Sequence, residues 1–200
     1  MGGIRVKLVL ASKNPKKLAE MNDILSQLGV EVCSEAEAGV DLEVEETGTT
    51  FEENSLLKAR AVMQASGLPA IADDSGLCVD CLGGAPGVYS ARYGGEGLSD
   101  EQRCRMLLEN MRGQITRTAR FVSVITCCFP NGDVLSARGE CPGTIAYAPM
   151  GEGGFGYDPV FFFPELKKTF AQLSAQEKNA VSHRGKAIRA FREKLEEYLK

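Results

Sequence analysis

Apolar positions along the chain change period several times, and each change marks an element. Ile4–Ala11 is a β-rich run that ends at Ser12. Leu18, Met21, Leu25 and Leu28 then recur at helical spacing on one face. Asn14 is a favoured N-cap, Pro15 a favoured first helical residue and Gly29 a natural stop. Between Glu31 and Glu45 only Leu42–Glu45 alternates, as a strand would. Thr50 with Glu53 forms a capping box for a helix running to about Ser66. Pro69–Ala72 predicts a short buried strand that ends at Asp73-Asp74-Ser75-Gly76. Gly83–Gly87 is rich in turn formers, and Val88–Tyr93 continues irregularly. Ser99 with Gln102 opens a helix whose Cys104, Leu107, Leu108 and Met111 are apolar. Arg120–Pro130 and Val134–Ala146 read as strands joined by an Asn131-Gly132 hairpin turn. The first of these is almost continuously apolar, as a strand covered on both faces is. Gly151–Pro159 is too glycine-rich for regular structure, and Val160–Phe163 follows as a short strand. Ser174 with Glu177 makes another capping box, and Ser182 begins a last helix with Ile188, Phe191, Leu195 and Tyr198 as its buried stripe.

At 200 residues the chain fits one large domain, 1–200, or two tightly joined lobes, with ample length for a buried core. Hydrophobic residues at 44% and charged residues at 25% are ordinary for a soluble globular protein. A net charge of −4 argues against a general nucleic-acid-binding surface. No apolar run reaches membrane-spanning length, and the first residues lack a secretory pattern. Met1-Gly2-Gly3 invites a myristoylation reading, which fails because Val6 stands where Ser or Thr is needed. Seven cysteines, an odd number, fit a reducing cytoplasm better than a disulfide framework. Cys78 and Cys81 form a C-x-x-C, but no second pair follows and His183 is the only histidine. In a strand that odd separation would put the two thiols on opposite faces, so they read as small buried hydrophobes.

Five stretches carry candidate chemistry. Asp73 and Asp74 should face opposite sides of their strand, and hard carboxylate oxygens suit Mg²⁺; the bland alternative is a solvated turn. Ser12, Lys13, Asn14, Lys16 and Lys17 crowd a strand–helix junction, where backbone N–H groups and lysines can cradle phosphate, although Asn14 could simply cap. The glycines of a P-loop are absent. Asn54 and Lys58 share a helix face; a lysine there is either ligand-facing or an amphipathic edge. Phe155, set among glycines, can stack on a flat ligand or plug a core. His183 and Arg184 sit in a helix's first turn, where positive charge is unfavourable unless something offsets it.

Five segments taken together resemble the inosine triphosphate pyrophosphatase family. They are Ser12-Lys13-Asn14-Pro15-Lys16-Lys17, Glu45-Glu46-Thr47-Gly48 with Phe51–Asn54, Ala72–Leu77, Phe155-Gly156-Tyr157-Asp158-Pro159, and Lys178 with Ser182-His183-Arg184-Gly185. Gly83–Gly87 and Tyr89–Tyr93 also look like the family's bacterial branch. One departure is Lys13, where the family usually carries glycine.

The resemblance implies an elongated α/β domain with a long mixed central sheet, two helical lobes and a nucleotide cleft between them. It also implies a homodimer. The implied reaction is Mg²⁺-dependent hydrolysis of non-standard purine nucleoside triphosphates (ITP, dITP, XTP) to monophosphate and pyrophosphate, which cleanses the nucleotide pool. Ordinary (d)NTPs as substrates, or a non-catalytic nucleotide sensor, are the alternatives. By resemblance Glu46 and Asp74 hold magnesium, and Asp74 accepts the proton of the attacking water. Asp73 supports the turn or the metal's outer shell. Ser12–Lys17 and Lys58 hold the phosphates, and Ser75 touches substrate. Phe155, Gly156, Tyr157, Asp158, Lys178, His183 and Arg184 form the base pocket. Donors such as Arg184 and protonated His183 can hydrogen-bond a keto oxygen at C6 and not the amino group of adenine.

Overall fold

A computed structural model describes residues 6–200. Met1-Gly2-Gly3 and the start of the Ile4–Ala11 run lie outside the described residues. The elements are β1 (Lys7–Leu10), α1 (Pro15–Leu25), β2 (Glu31–Ser34), α2 (Phe51–Ser66), β3 (Ala70–Val79), α3 (Asp100–Asn110), β4 (Thr118–Cys128), β5 (Val134–Ile145), β6 (Phe161–Phe163), β7 (Lys168–Thr169), α4 (Ala175–Val181) and α5 (His183–Tyr198). Seven strands make one sheet in the order β2-β1-β3-β4-β5-β6-β7. It is mixed. β1 pairs in parallel with β2 (Leu8 opposite Val32) and with β3 (Leu10 opposite Ile71), whereas β6 runs antiparallel to β5 and β7. Parallel neighbours need crossovers, and α1 and α2 supply them. No helix among the described residues is long and apolar enough to cross a membrane.

Two compact units divide the chain. The first holds the residues up to Asp74 with Ser123–Gly139 and Arg184–Lys200; the second holds Ser75–Val122 and Glu140–His183. In the first, Leu8, Leu10, Met21, Leu25, Ile71, Ile125, Phe191 and Leu195 bury together. The expected stripes of α1 and α5 therefore do face a core. In the second, Phe121, Phe161 and Phe170 pack ring on ring, with Phe121 and Phe161 centroids 4.5 Å apart. Such aromatic pairs each add about 1 kcal/mol beyond their buried area.

The capping signals are realised as read. Asn14 accepts from the Lys16 N–H, and Thr50–Glu53, Ser99–Gln102 and Ser174–Glu177 are complete capping boxes. Three expectations are corrected. Asp73 and Asp74 do not end a strand: β3 runs on through them to Val79, past the end of its β1 pairing at Ile71, because β4 is its neighbour on the other side and a ladder outweighs local turn preference. Cys81 therefore leaves the strand and sits in a 3₁₀ turn at Asp80–Leu82, while Cys78 stays in β3. Leu42–Glu45 forms no strand. Its alternation is real, with Leu42 and Val44 turned in, but no neighbouring strand pairs with it. Gly87–Arg92 is a 3₁₀ helix, and the short strands β2 and β7 carried no readable period.

A chain of hydroxyls, buried at Ser55 and Thr126 and half-buried at Ser136, ties α2 to the sheet within the first unit: Ser55 Oγ lies 2.8 Å from Thr126 Oγ1, itself 3.2 Å from Ser136 Oγ. Thr126→Val keeps the shape and deletes the relay. It should cost about 1–2 kcal/mol in chemical denaturation, with no change in the denaturant slope.

Candidate active site

Helix α1 begins at Pro15, and ahead of it Ser12 Oγ accepts from the N–H of the N-cap Asn14 at 3.2 Å. Lys17 and Glu20, three positions apart on that helix, share one face. Lys17 Nζ meets Asp73 Oδ1 at 2.9 Å. Arg184, the second residue of α5, gives Nε to Asp73 Oδ2 at 3.3 Å and Nη1 to Glu20 at 3.0 Å. Asp73 and Arg184 are buried, so this is an interior ion network. Burial by itself would raise the Asp73 carboxyl, but Lys17 and Arg184 outweigh it and hold Asp73 well below the carboxylate range. Asp73 braces two cations inside a strand. It supports no turn, contrary to the sequence expectation.

Asp74 faces the other way, as strand alternation requires. Lys58 Nζ reaches across from α2 to Glu46 Oε1 at 2.7 Å and to Asp74 Oδ1 at 3.2 Å. Glu46 is presented by a segment stapled to the start of α2. Asn54 Oδ1 accepts from the Gly48 N–H at 2.8 Å, and Glu53 accepts from the backbones of Thr49 and Thr50. Only glycine fits at Gly48, since a Cβ would come within 2.6 Å of Asn54 Oδ1 and 2.7 Å of Glu53 Cβ. Burial lifts the Asp74 carboxyl to about 6; Lys58 pulls it down and Glu46 pushes it further up. Asp74 Oδ2 is buried without a hydrogen-bond partner. Two converging hard carboxylates, one with an orphaned oxygen, suit a magnesium ion that takes its other ligands from water and phosphate.

The second unit carries the other cluster. Asp158 Oδ2 accepts from the Phe155 N–H at 2.9 Å and from Lys178 Nζ at 2.5 Å, and that ammonium lies 4.3 Å from the Phe155 ring centroid. Phe155, Asp158 and Lys178 are thus one unit of ring, cation and counter-ion. Gly154, at φ +75°, lies so close to Asp158 that a Cβ there would collide with its carboxylate. His183 is buried and stacks on Phe121, ring centroids 4.6 Å apart.

Not every expected residue converges. Lys13 pairs with Asp41 at 3.0 Å on the exposed surface, and Pro15 and Lys16 are exposed. Tyr157 is a buried peg whose hydroxyl donates to the Ser90 carbonyl at 2.7 Å. Ser75, half-buried, directly follows Asp74 in β3. Glu20 and Asp100 were missed. Glu20 stands three residues after Lys17, a readable spacing. Asp100, which accepts from the Gly156 N–H at 2.7 Å across 56 positions, left no local signal.

The Ham1 family model matches residues 8–194. The chain belongs to the Ham1 family. Its sequence is 48% identical over 195 residues to the dITP/XTP pyrophosphatase of Exiguobacterium sp., covering 98% of this chain and all of the relative. It is 52% identical over 185 residues to the dITP/XTP pyrophosphatase of Aromatoleum aromaticum, covering 92% and 93% of the two chains. The solved structure of the Staphylococcus aureus Ham1 protein superposes with a TM-score of 0.89 at 43% identity, over 96% of this chain and 99% of that one. The mixed α/β architecture is therefore that of Ham1 proteins.

In this Ham1 chain the two adjacent aspartates have opposite energetics. Asp73, held low, contributes stability that is present above about pH 4 and is lost as acid protonates it. Asp74, raised to about 6, is neutral and costless below about pH 4 and carries a growing cost up to pH 6 and beyond. Without metal at pH 8, Asp74→Asn should raise Tm by roughly 5 °C, the two curves converging below about pH 4. Asp73→Asn should instead lower Tm by roughly 10 °C, because it strands Lys17 and Arg184. Calorimetry across pH checks both signs.

Proposed function

We propose that this chain hydrolyses non-standard purine nucleoside triphosphates, dITP, ITP and XTP among them, to the monophosphate and pyrophosphate. The activity of relatives that match nearly its full length supports the substrate class. The observation that carries the chemistry is Asp74, a carboxylate of pKa about 6 whose neighbours are a lysine and a second carboxylate. A base that titrates near neutrality takes a proton from water without being too weak to hold it.

Magnesium, held by Glu46 and Asp74, supplies positive charge to the phosphate oxygens when bound. Asp74 accepts a proton from the water whose oxygen joins the α-phosphorus. The bond from that phosphorus to the α,β-bridging oxygen breaks, and pyrophosphate leaves with the electron pair. Lys58 positions both carboxylates and offsets charge as the tail arrives. Lys17 and the Ser12–Asn14 backbone bind the tail, and Asp73 keeps Lys17 in place. Positioning and charge neutralisation are what phosphoryl transfer chiefly asks of a protein.

The second unit's cluster takes the purine. Phe155 stacks on it, and Lys178, aligned by Asp158, offers a donor to a keto oxygen together with His183 and Arg184. Adenine turns a donor toward the same groups and loses that hydrogen bond. The cytoplasm suits the seven free thiols. A homodimer is supported by an apolar face in the second unit, where Ile115 is 93% and Tyr147 79% exposed.

Pyrophosphate release measured with dITP, XTP, dATP, dGTP and dCTP, with magnesium and with chelator, tests the reading. Turnover of the first two, abolished by chelator, is expected; no turnover of either would refute it, and equal turnover of all five would favour the ordinary-nucleotide alternative. Activity needs the Asp74 carboxylate, so kcat/KM should fall on the acid side, and Lys58→Met should move that limb upward by removing a group that lowers the Asp74 pKa. Arg184→Lys keeps a charge beside Asp73 but loses the guanidinium fork. It should narrow the ITP-to-ATP ratio of kcat/KM by roughly tenfold, the scale of one mispaired hydrogen bond.

A further inference from the structure

Asn54 is wholly buried on the face of α2 that also carries Lys58, one turn further on. With Gly48, Glu46 and Asp74 it belongs to the first unit. Its Oδ1 accepts from the Gly48 N–H at 2.8 Å, and this fixes the amide, since only the oxygen can accept. Nδ2 therefore points away from Gly48, and it is buried with no hydrogen-bond partner. Anchoring Gly48 needs an acceptor alone. A buried donor left unmatched is costly, and the anchor does not account for it.

Asp74 presents the complementary atom. Its Oδ1 takes Lys58 at 3.2 Å, whereas its Oδ2 is buried and unpartnered. The two side chains are neighbours: the Asn54 amide acts on Asp74 as a hydrogen-bond donor and draws its carboxyl down. Even so, neither Nδ2 nor Oδ2 completes a hydrogen bond. A donor and an acceptor that face one space without closing on each other are both satisfied by a molecule that accepts from the first and donates to the second. Water is that molecule.

We propose that Asn54 positions the attacking water, whose oxygen accepts from Nδ2–H while one of its O–H groups donates to Asp74 Oδ2. One lone pair is then committed to Asn54, and the other is left for the α-phosphorus. As the new O–P bond forms, the proton passes to Asp74 Oδ2. The bond from phosphorus to the α,β-bridging oxygen breaks, and pyrophosphate leaves with the electron pair. A carboxylate oxygen accepts in two directions, so Oδ2 serves a metal and the water together. An amide suits this task, as it does in GTPases, because it is a neutral donor that neither takes the proton nor adds charge beside a phosphate. Through Gly48 the same side chain also holds the segment that carries Glu46.

This inference rests on the pyrophosphatase reading, and dITP turnover by the wild type tests that reading by itself. Asn54→Leu removes the amide at similar volume but also frees the Gly48 N–H. Glu53→Ala loosens the same segment at Thr49 and Thr50 and leaves Asn54 untouched, so it reads the purely structural share. For each full-length variant, kcat is measured with dITP and Mg²⁺, and affinity for α,β-imido-dITP, which is not cleaved at that bridge, by calorimetry. Asn54→Leu should lose roughly a hundredfold in kcat, Glu53→Ala no more than about threefold, and their affinities for the analogue should agree within about threefold. Asn54→Asp keeps the shape and the acceptor for Gly48 without the donor; it should lose kcat as well, and it carries the test if Asn54→Leu does not fold. Retained kcat in either Asn54 variant, a loss no greater than in Glu53→Ala, or a loss in Asn54→Leu matched by an equal loss of analogue affinity would overturn the water-positioning role. Each of these leaves the pyrophosphatase standing. Absence of dITP turnover by the wild type would instead count against the pyrophosphatase itself.

Discussion

A carboxylate with no access to water, Asp73, holds Lys17 from α1 and Arg184 from α5 at once. Much of the first unit depends on that arrangement. Burying three charges is costly, and it is tolerable only because each finds a partner and Glu20 takes up the remaining guanidinium edge. The gain is placement. Two long, flexible cations that would otherwise sample many rotamers are fixed at the ends of two helices, next to a loop that offers backbone N–H groups. The unfavourable position of Arg184 in the first turn of α5 is thereby answered within the protein, by Asp73 and Glu20.

One residue further along, the same strand does the opposite. Asp74 is kept in surroundings that penalise its charge, and Lys58, helped by Asn54, restrains its pKa from rising further. Such a group is poorly placed for stability and well placed for moving a proton. Adjacent aspartates with divergent pKa values divide two conditions between them: one carboxylate stays charged and braces, the other is held where its charge is penalised. Strand alternation makes that division possible, because neighbours in sequence face separate environments.

The Phe155–Asp158 loop follows a different logic. Its glycines leave it little intrinsic order, so its shape is imposed by attachments: the Tyr157 hydroxyl on Ser90, the Gly156 N–H on Asp100, and the Phe155 N–H and Lys178 on Asp158. Its aromatic ring and its ammonium are held together by a shared carboxylate. A loop built this way presents flat and polar groups in fixed relation without a regular element beneath it.

Local chemistry alone determined a good deal of this protein. The caps at Asn14, Thr50, Ser99 and Ser174, the helical stripes of α1 and α5 and the buried run of β4 follow from spacing over a few residues, and each formed as read. The motif residues were legible too, down to the opposed faces of Asp73 and Asp74. What the chain could not show locally was decided by neighbours distant in sequence. Asp-Asp-Ser-Gly is good turn chemistry, and it became the middle of a ten-residue strand because β4 is the neighbour of β3 in the sheet. Leu42–Glu45 alternates as well as any strand and remained unpaired because none came alongside. Whether a carboxylate braces, reacts or waits for a ligand depends on which cations and how much water reach it, and only the tertiary structure sets that.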